Sequence, residues 1–151
     1  MPQPNEMHER LHAIAGRWEG EETMHPSPWM PDGGVRAATI TNRVDMAGFC
    51  LIQDYEQRDG ETVMFSGHGV FSIDTQSSRT KLYWWDSMGM GPELFEGEWS
   101  GETLVLESRN PMGHTRGTWT FEGDRYTHKM EMSRDGTDWT TLMDGRYQRV
   151  G

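Results

Sequence analysis

Along most of this chain apolar and polar residues alternate one by one, the period of a strand with one buried face. In Thr62–Ile73, for example, Val63, Phe65, Gly67, Gly69, Phe71 and Ile73 share one face, while Met64, Ser66, His68 and Val70 share the other. The two glycines are expected to relieve crowding where the sheet bends. Similar segments run Gly16–Met24, Val35–Asp45, Phe49–Arg58, Lys81–Asp86, Leu94–Trp99, Thr103–Ser108, Thr115–Phe121, Tyr126–Ser133 and Trp139–Arg149. Turn signals separate them: Asp59-Gly60, Ser100-Gly101, Glu122-Gly123-Asp124 and Asp135-Gly136. Asp144-Gly145 reads as a further turn or a bulge in the last strand. About ten short, evenly spaced strands predict an all-β meander, sandwich or barrel.

Only the N-terminus has helical spacing. Asn5 is placed to cap a helix with Glu6 and Glu9 in its first turn, and Met7, Leu11, Ile14 and Ala15 fall on one face. Gly16 stands where a glycine would end it, which predicts about three turns over residues 6–15. The barrel then spans about residues 16–150 of one domain, residues 1–151. His8-Glu9-Arg10-Leu11-His12 matches the zinc-protease pattern H-E-x-x-H. Ala15 and Trp18 stand where the extended form needs a glycine and a third histidine, so two exposed helix histidines are expected instead. The loop His25–Gly34, with three prolines and Trp29, reads either as a lid over an opening or as a surface connection. Gly16-Arg17-Trp18-Glu19-Gly20-Glu21 is echoed by Gly97-Glu98-Trp99-Ser100-Gly101-Glu102, which suggests equivalent strand geometries in two halves of a barrel.

Composition sharpens this picture. Hydrophobic residues are only 34% of the chain, but they include 7 Trp, 5 Phe and 12 Met, enough bulk for a core from few positions. The methionines read first as gap-fillers and second as a pocket lining. A net charge of −10 opposes nucleic acid and anionic membrane surfaces as partners. Cys50 is the sole cysteine, expected to be a buried inert thiol, so neither an internal disulfide nor a thiolate metal cluster is available. With no secretory n- and h-regions and no bilayer-length apolar run, the expectation is a soluble cytoplasmic protein.

Several elements occur in a telling order: Gly16, Trp18 and Gly20 after a leucine-bearing helix, then the strand Phe49–Tyr55, then Gly67, Gly69 and Asp74. Trp84-Trp85-Asp86-Ser87-Met88-Gly89 and Tyr147-Gln148-Arg149 follow. Over nearly its whole length the chain resembles a bacterial family of lipocalin-like (calycin) barrels, domain-of-unknown-function family 1579. The resemblance implies an antiparallel up-and-down β-barrel of eight to ten strands with a short N-terminal helix. It also implies that Trp18 crosses the closed end beneath an arginine of the last strand, Arg149 in preference to Arg146. It supplies no reaction.

A barrel of this size is either filled by side chains or holds one small ligand. The aromatic and methionine content suits a small hydrophobic guest lined by Phe65, Trp84, Trp99, Tyr126, His128 and Met130, subject to strand register. The alternative is haem on a single histidine, by analogy with related calycins; His68, His114 and His128 are candidates, and His128, between Tyr126 and Met130, is preferred. No other cofactor and no metal is expected. Nothing matches a nucleophile elbow or a phosphate loop. Asp54, Asp86, Glu93 and Glu107 are the carboxylates available to an isomerase or hydrolase, and the chain reads as a binder rather than an enzyme. An aromatic patch around Trp85 or Trp29 leaves monomer and homodimer both open.

Overall fold

The computed structural model describes residues 1–28 and 30–151; the reading of Trp29 as part of a lid or patch lies outside the described residues. Helix α1 (Glu6–His12) precedes β1 (Gly16–Met24), β2 (Gly34–Asp45), β3 (Cys50–Asp59), β4 (Thr62–Ile73) and β5 (Thr80–Asp86). The chain continues through β6 (Glu93–Ser100), β7 (Thr103–Asn110), β8 (Gly113–Glu122), β9 (Arg125–Ser133) and β10 (Thr140–Arg149). Every strand pairs antiparallel with its neighbours in sequence, and β1 pairs with β10, so the sheet closes into a barrel with no free edge. The seam register sets Trp18 opposite Arg149 and Gly20 opposite Tyr147.

The helix closes one end. Asn5 Oδ1 accepts from the backbone N–H of Met7 (2.9 Å) and His8 (3.3 Å), and His8 Nδ1 lies 3.0 Å from the Asn5 nitrogen. His8, packed against Phe49, is 2% exposed and not a surface histidine, and His12 Nε2 meets the Gly48 carbonyl at 2.7 Å. Both histidines of the H-E-x-x-H pattern thus hydrogen-bond to backbone groups at the closed end. The helix ends at His12 rather than near residue 15 because the barrel needs the carbonyls that follow. Ile14 O accepts from Trp18 Nε1 (3.1 Å) and Asn42 Nδ2 (3.0 Å), while Ala13 O and Ala15 O accept from Arg149. Gly16 (φ +124°) opens β1 instead of capping the helix.

Trp18 is fully buried, with the Arg149 guanidinium 4.3 Å from its ring centroid and held by Asp124 Oδ1 at 2.9 Å. The two glycine–tryptophan segments are not equivalent, because β1 leaves the closed end and β6 arrives at it, in opposite directions. Each tryptophan has a covering cation, Arg10 standing 5.4 Å from the Trp99 ring. Asp144-Gly145 is regular strand paired with Lys129 and His128; the irregularity lies earlier, between Thr141 and Met143. Cys50 is partly exposed rather than buried.

The core fills the half of the barrel beside the helix. Inward residues there, including Trp18, Ile40, Leu51, Phe71, Leu104 and Leu106, are buried. The gap left among Ile14, Phe71, Trp119 and Tyr126 is about 10 Å³, barely the space of one water. Toward the other end the inward residues Met24, Tyr55, Phe65, Trp84, His128 and Met130 become partly exposed.

Candidate ligand site at the open end of the barrel

Because side chains alternate in and out, the register defines inward rows across neighbouring strands. On β1, β10 and β9 the row above the closed half is Gly20, Tyr147, Tyr126. The next is Glu22, Gly145, His128, extended by Arg36 on β2 and Trp119 on β8. Nearest the mouth comes Met24, Met143, Met130. A polar row thus lies between an aromatic floor and a row of methionines.

Glu22 dominates that polar row. Its carboxylate is 0% exposed and accepts hydrogen bonds from Tyr147 Oη (2.5 Å), Gln57 Nε2 (2.7 Å) and Tyr55 Oη. Burial raises the Tyr55, Tyr126 and Tyr147 hydroxyl pKa values far above the ordinary range, with the Glu22 charge second, so all three stay protonated and two donate. Gln57 Oε1 accepts in turn from Arg36 Nη1 at 3.0 Å.

Apolar walls flank this network. Phe65 and Trp84 both stand edge-on to Tyr55, at 5.9 and 6.1 Å between centroids. Trp84 Nε1 donates to Asp86 Oδ2 at 2.9 Å, which pins the indole. Outside Trp84, a groove of about 790 Å³ opens at the rim between the β5–β6 connection and the β7–β8 hairpin, where Met88, Met90 and Met112 line it. Glu93 shares that rim; burial raises its carboxyl pKa, and the nearby Asp86 charge adds to the rise.

Of the ligand residues expected from sequence, Phe65, Trp84, His128 and Met130 lie in the half away from the helix and are partly exposed. Tyr126 lies deeper, stacked on Tyr147 (4.4 Å) and edge-on to Trp18 (4.9 Å). Trp99 lies at the opposite end, against Phe121 at 5.7 Å. His128 stacks on Trp119 at 4.4 Å, its Nε2 is sealed from solvent without a partner among the described residues, and burial lowers its pKa to about 3. His68 bonds Asp54 on the outer face (2.7 Å), and His114 stands 6.4 Å from Trp139. Glu107 is also exposed, 3.9 Å from Arg116. Trp85 and Tyr83 are exposed on the outer wall. Among the described residues no group of three or more His, Cys, Asp or Glu side chains is placed to hold a metal ion, and no helix is long and apolar enough to cross a membrane.

Sequence reasoning missed Glu22, Arg36, Tyr55 and Gln57. The signal for Glu22 was the every-second-residue series Trp18, Gly20, Glu22, Met24, obscured by the acidic run Glu19–Glu22 that reads as solvated surface.

Fold and site together define an antiparallel ten-stranded barrel, closed by a helix at one end and carrying a buried polar row toward the other. The sequence matches the family described as "Protein of unknown function (DUF1579)" over residues 3–149, and the chain belongs to that family. Among solved structures, Rv2717c from M. tuberculosis is similar with a TM-score of 0.75 at 14% identity, covering 97% of this chain and 99% of that one. A protein of unknown function from the DUF3598 family of Nostoc punctiforme reaches a TM-score of 0.47 at 15% identity, covering 99% of this chain and 51% of that one. No curated protein matches the sequence. At these identities the likeness to solved structures concerns the fold alone.

Proposed function

We propose that residues 1–151 form one lipocalin-like binding domain, whose open end takes a small apolar or aromatic molecule from water. The observation that carries this reading is the change in burial along the barrel axis. The closed half is packed to a residual gap of about 10 Å³, whereas Tyr55, Phe65 and Trp84 toward the mouth stay partly exposed, and Trp84 also lines the rim groove. Partly exposed aromatic walls around a few fixed polar groups are the usual make-up of a ligand pocket. The scattered outer carboxylates Asp54 and Glu107 pair with His68 and Arg116, which favours binding over acid–base catalysis at those positions.

The test is titration with the neutral fluorophore N-phenyl-1-naphthylamine, alongside native mass spectrometry of protein purified without added ligand. Saturable enhancement is expected, weakened about tenfold or more by Trp84→Ala and unchanged by Trp85→Ala on the outer wall. No enhancement together with no co-purifying mass overturns the reading. Haem addition is the control for the other ligand class: a Soret shift lost in His128→Ala would replace the apolar guest with haem.

A further inference from the structure

Glu22 and Arg36 are paired positions on adjacent strands, and both lie in the inward row. Opposite charges so placed ordinarily join directly. Here they do not: among the described residues neither side chain enters an ion pair within 4.0 Å. Gln57 stands between them instead. Its carboxamide oxygen receives Arg36 Nη1 at 3.0 Å, and its amide nitrogen donates to Glu22 Oε1 at 2.7 Å. An acceptor turned to the cation and a donor turned to the anion hold the two charges apart.

Both charges keep unused capacity. A guanidinium has five N–H donors, and the hydrogen bond to Gln57 uses one of them. A carboxylate offers about four acceptor sites, and Tyr55, Gln57 and Tyr147 take three at Glu22. From the mouth side Arg36 is partly exposed, whereas Glu22 beside it is fully buried, so a group that reaches the carboxylate has to displace the flexible thioethers of Met24, Met143 and Met130. Tyr55, Phe65 and Trp84 supply aromatic surface beside that route.

The charges also restrict the guest. A simple anion would answer Arg36 but faces buried Glu22 and a chain of net charge −10. A simple cation would answer Glu22 and leave Arg36 unmatched. A molecule carrying both charges a few bonds apart, with an apolar body, matches the polarity that Gln57 now presents as a neutral amide. We infer that the open end binds an α-amino acid with an apolar or aromatic side chain, its carboxylate set against Arg36 and its ammonium against Glu22. This rests on the reading of the open end as the ligand site.

The test is isothermal titration with L-phenylalanine, 2-phenylethylamine, 3-phenylpropionate and toluene. L-phenylalanine is expected to bind at least about tenfold tighter than either single-charge analogue, the worth of one charge-assisted hydrogen bond. Glu22→Gln should reduce it to the level of the acid, and Arg36→Gln to the level of the amine. Toluene should bind both variants as it binds the wild type, which shows the walls intact. If toluene binds and L-phenylalanine is no tighter than its analogues, the inference fails and the binding-barrel reading stands. If none of the four binds, the inference fails, and the dye titration with native mass spectrometry decides the binding-barrel reading separately. The wild-type series decides the matter even if a variant does not fold.

Discussion

Trp84 lies against Gly67 on the neighbouring strand: a Cβ at Gly67 would stand 2.1 Å from Cη2 of the indole and 2.2 Å from Cζ2. The glycine is therefore the seat of the tryptophan, and Asp86 holds the same ring through Nε1. Gly145 serves Tyr147 in the same way, with the hydroxyl 2.0 Å from its absent Cβ, which lets that hydroxyl reach Glu22. The open end is shaped by where side chains are missing as much as by where they stand.

Gly67→Ala should push Trp84 out of its seat. The expected cost is about 1–3 kcal/mol of stability from overpacking, read by urea denaturation. Near-ultraviolet circular dichroism should change with it, and N-phenyl-1-naphthylamine should bind more weakly. Unaltered tryptophan dichroism would mean that the indole does not depend on that glycine.

Arg149→Met keeps an apolar stem over Trp18 and removes the guanidinium. Lost with it are the contact with the ring and the bonds to Ala13 O, Ala15 O and Asp124. A loss of about 2–3 kcal/mol is expected, with faster amide exchange in α1 because its tether to β10 is gone. A change under about 0.5 kcal/mol would reduce the arginine to a surface ornament.

His128 predicts an acid-side slope. Burial lowers its pKa from 6.5 to about 3, against a smaller opposing pull from Asp144. Below pH 6.5 the unfolded chain takes up a proton that the folded chain refuses until about pH 3, so stability falls as pH drops through that window. His128→Phe, which retains the stack on Trp119, should flatten the fall in melting temperature between pH 6.5 and about 5. His8, lowered by burial and by His12, leaves a residual slope of the same sign.

The interior tyrosines give the opposite sign at high pH. Tyr55, Tyr126 and Tyr147 have raised pKa values in the fold, so their contribution is complete below about pH 10 and is lost as pH climbs above it. Tyrosinate absorbance should include these three hydroxyls only when the barrel unfolds, in one cooperative step. Gradual ionisation without unfolding would show that the network around Glu22 is open to water.

Much of this molecule was legible in its sequence. Single-residue alternation and glycine turns located ten strands within a residue or two, because a half-buried strand leaves a local trace in every second side chain. Local rules failed at the helix end, where Ile14 O is claimed by Trp18 and Asn42 from distant strands. They failed again at His8, which was read from helix position alone and is buried against Phe49 at 5.2 Å.

The chain by itself determined that β strands would form, where they would turn and which residues share a face, since these follow from nearest-neighbour sterics and hydrophobic period. Only the closed sheet decided which inward faces meet. It brought Glu22 of β1 to Tyr55 and Gln57 of β3 and to Tyr147 of β10, a carboxylate and three donors that no linear spacing connects. Whether a charge in an acidic run is solvated or buried depends on what the rest of the barrel places around it, and that is a property of closure rather than of sequence.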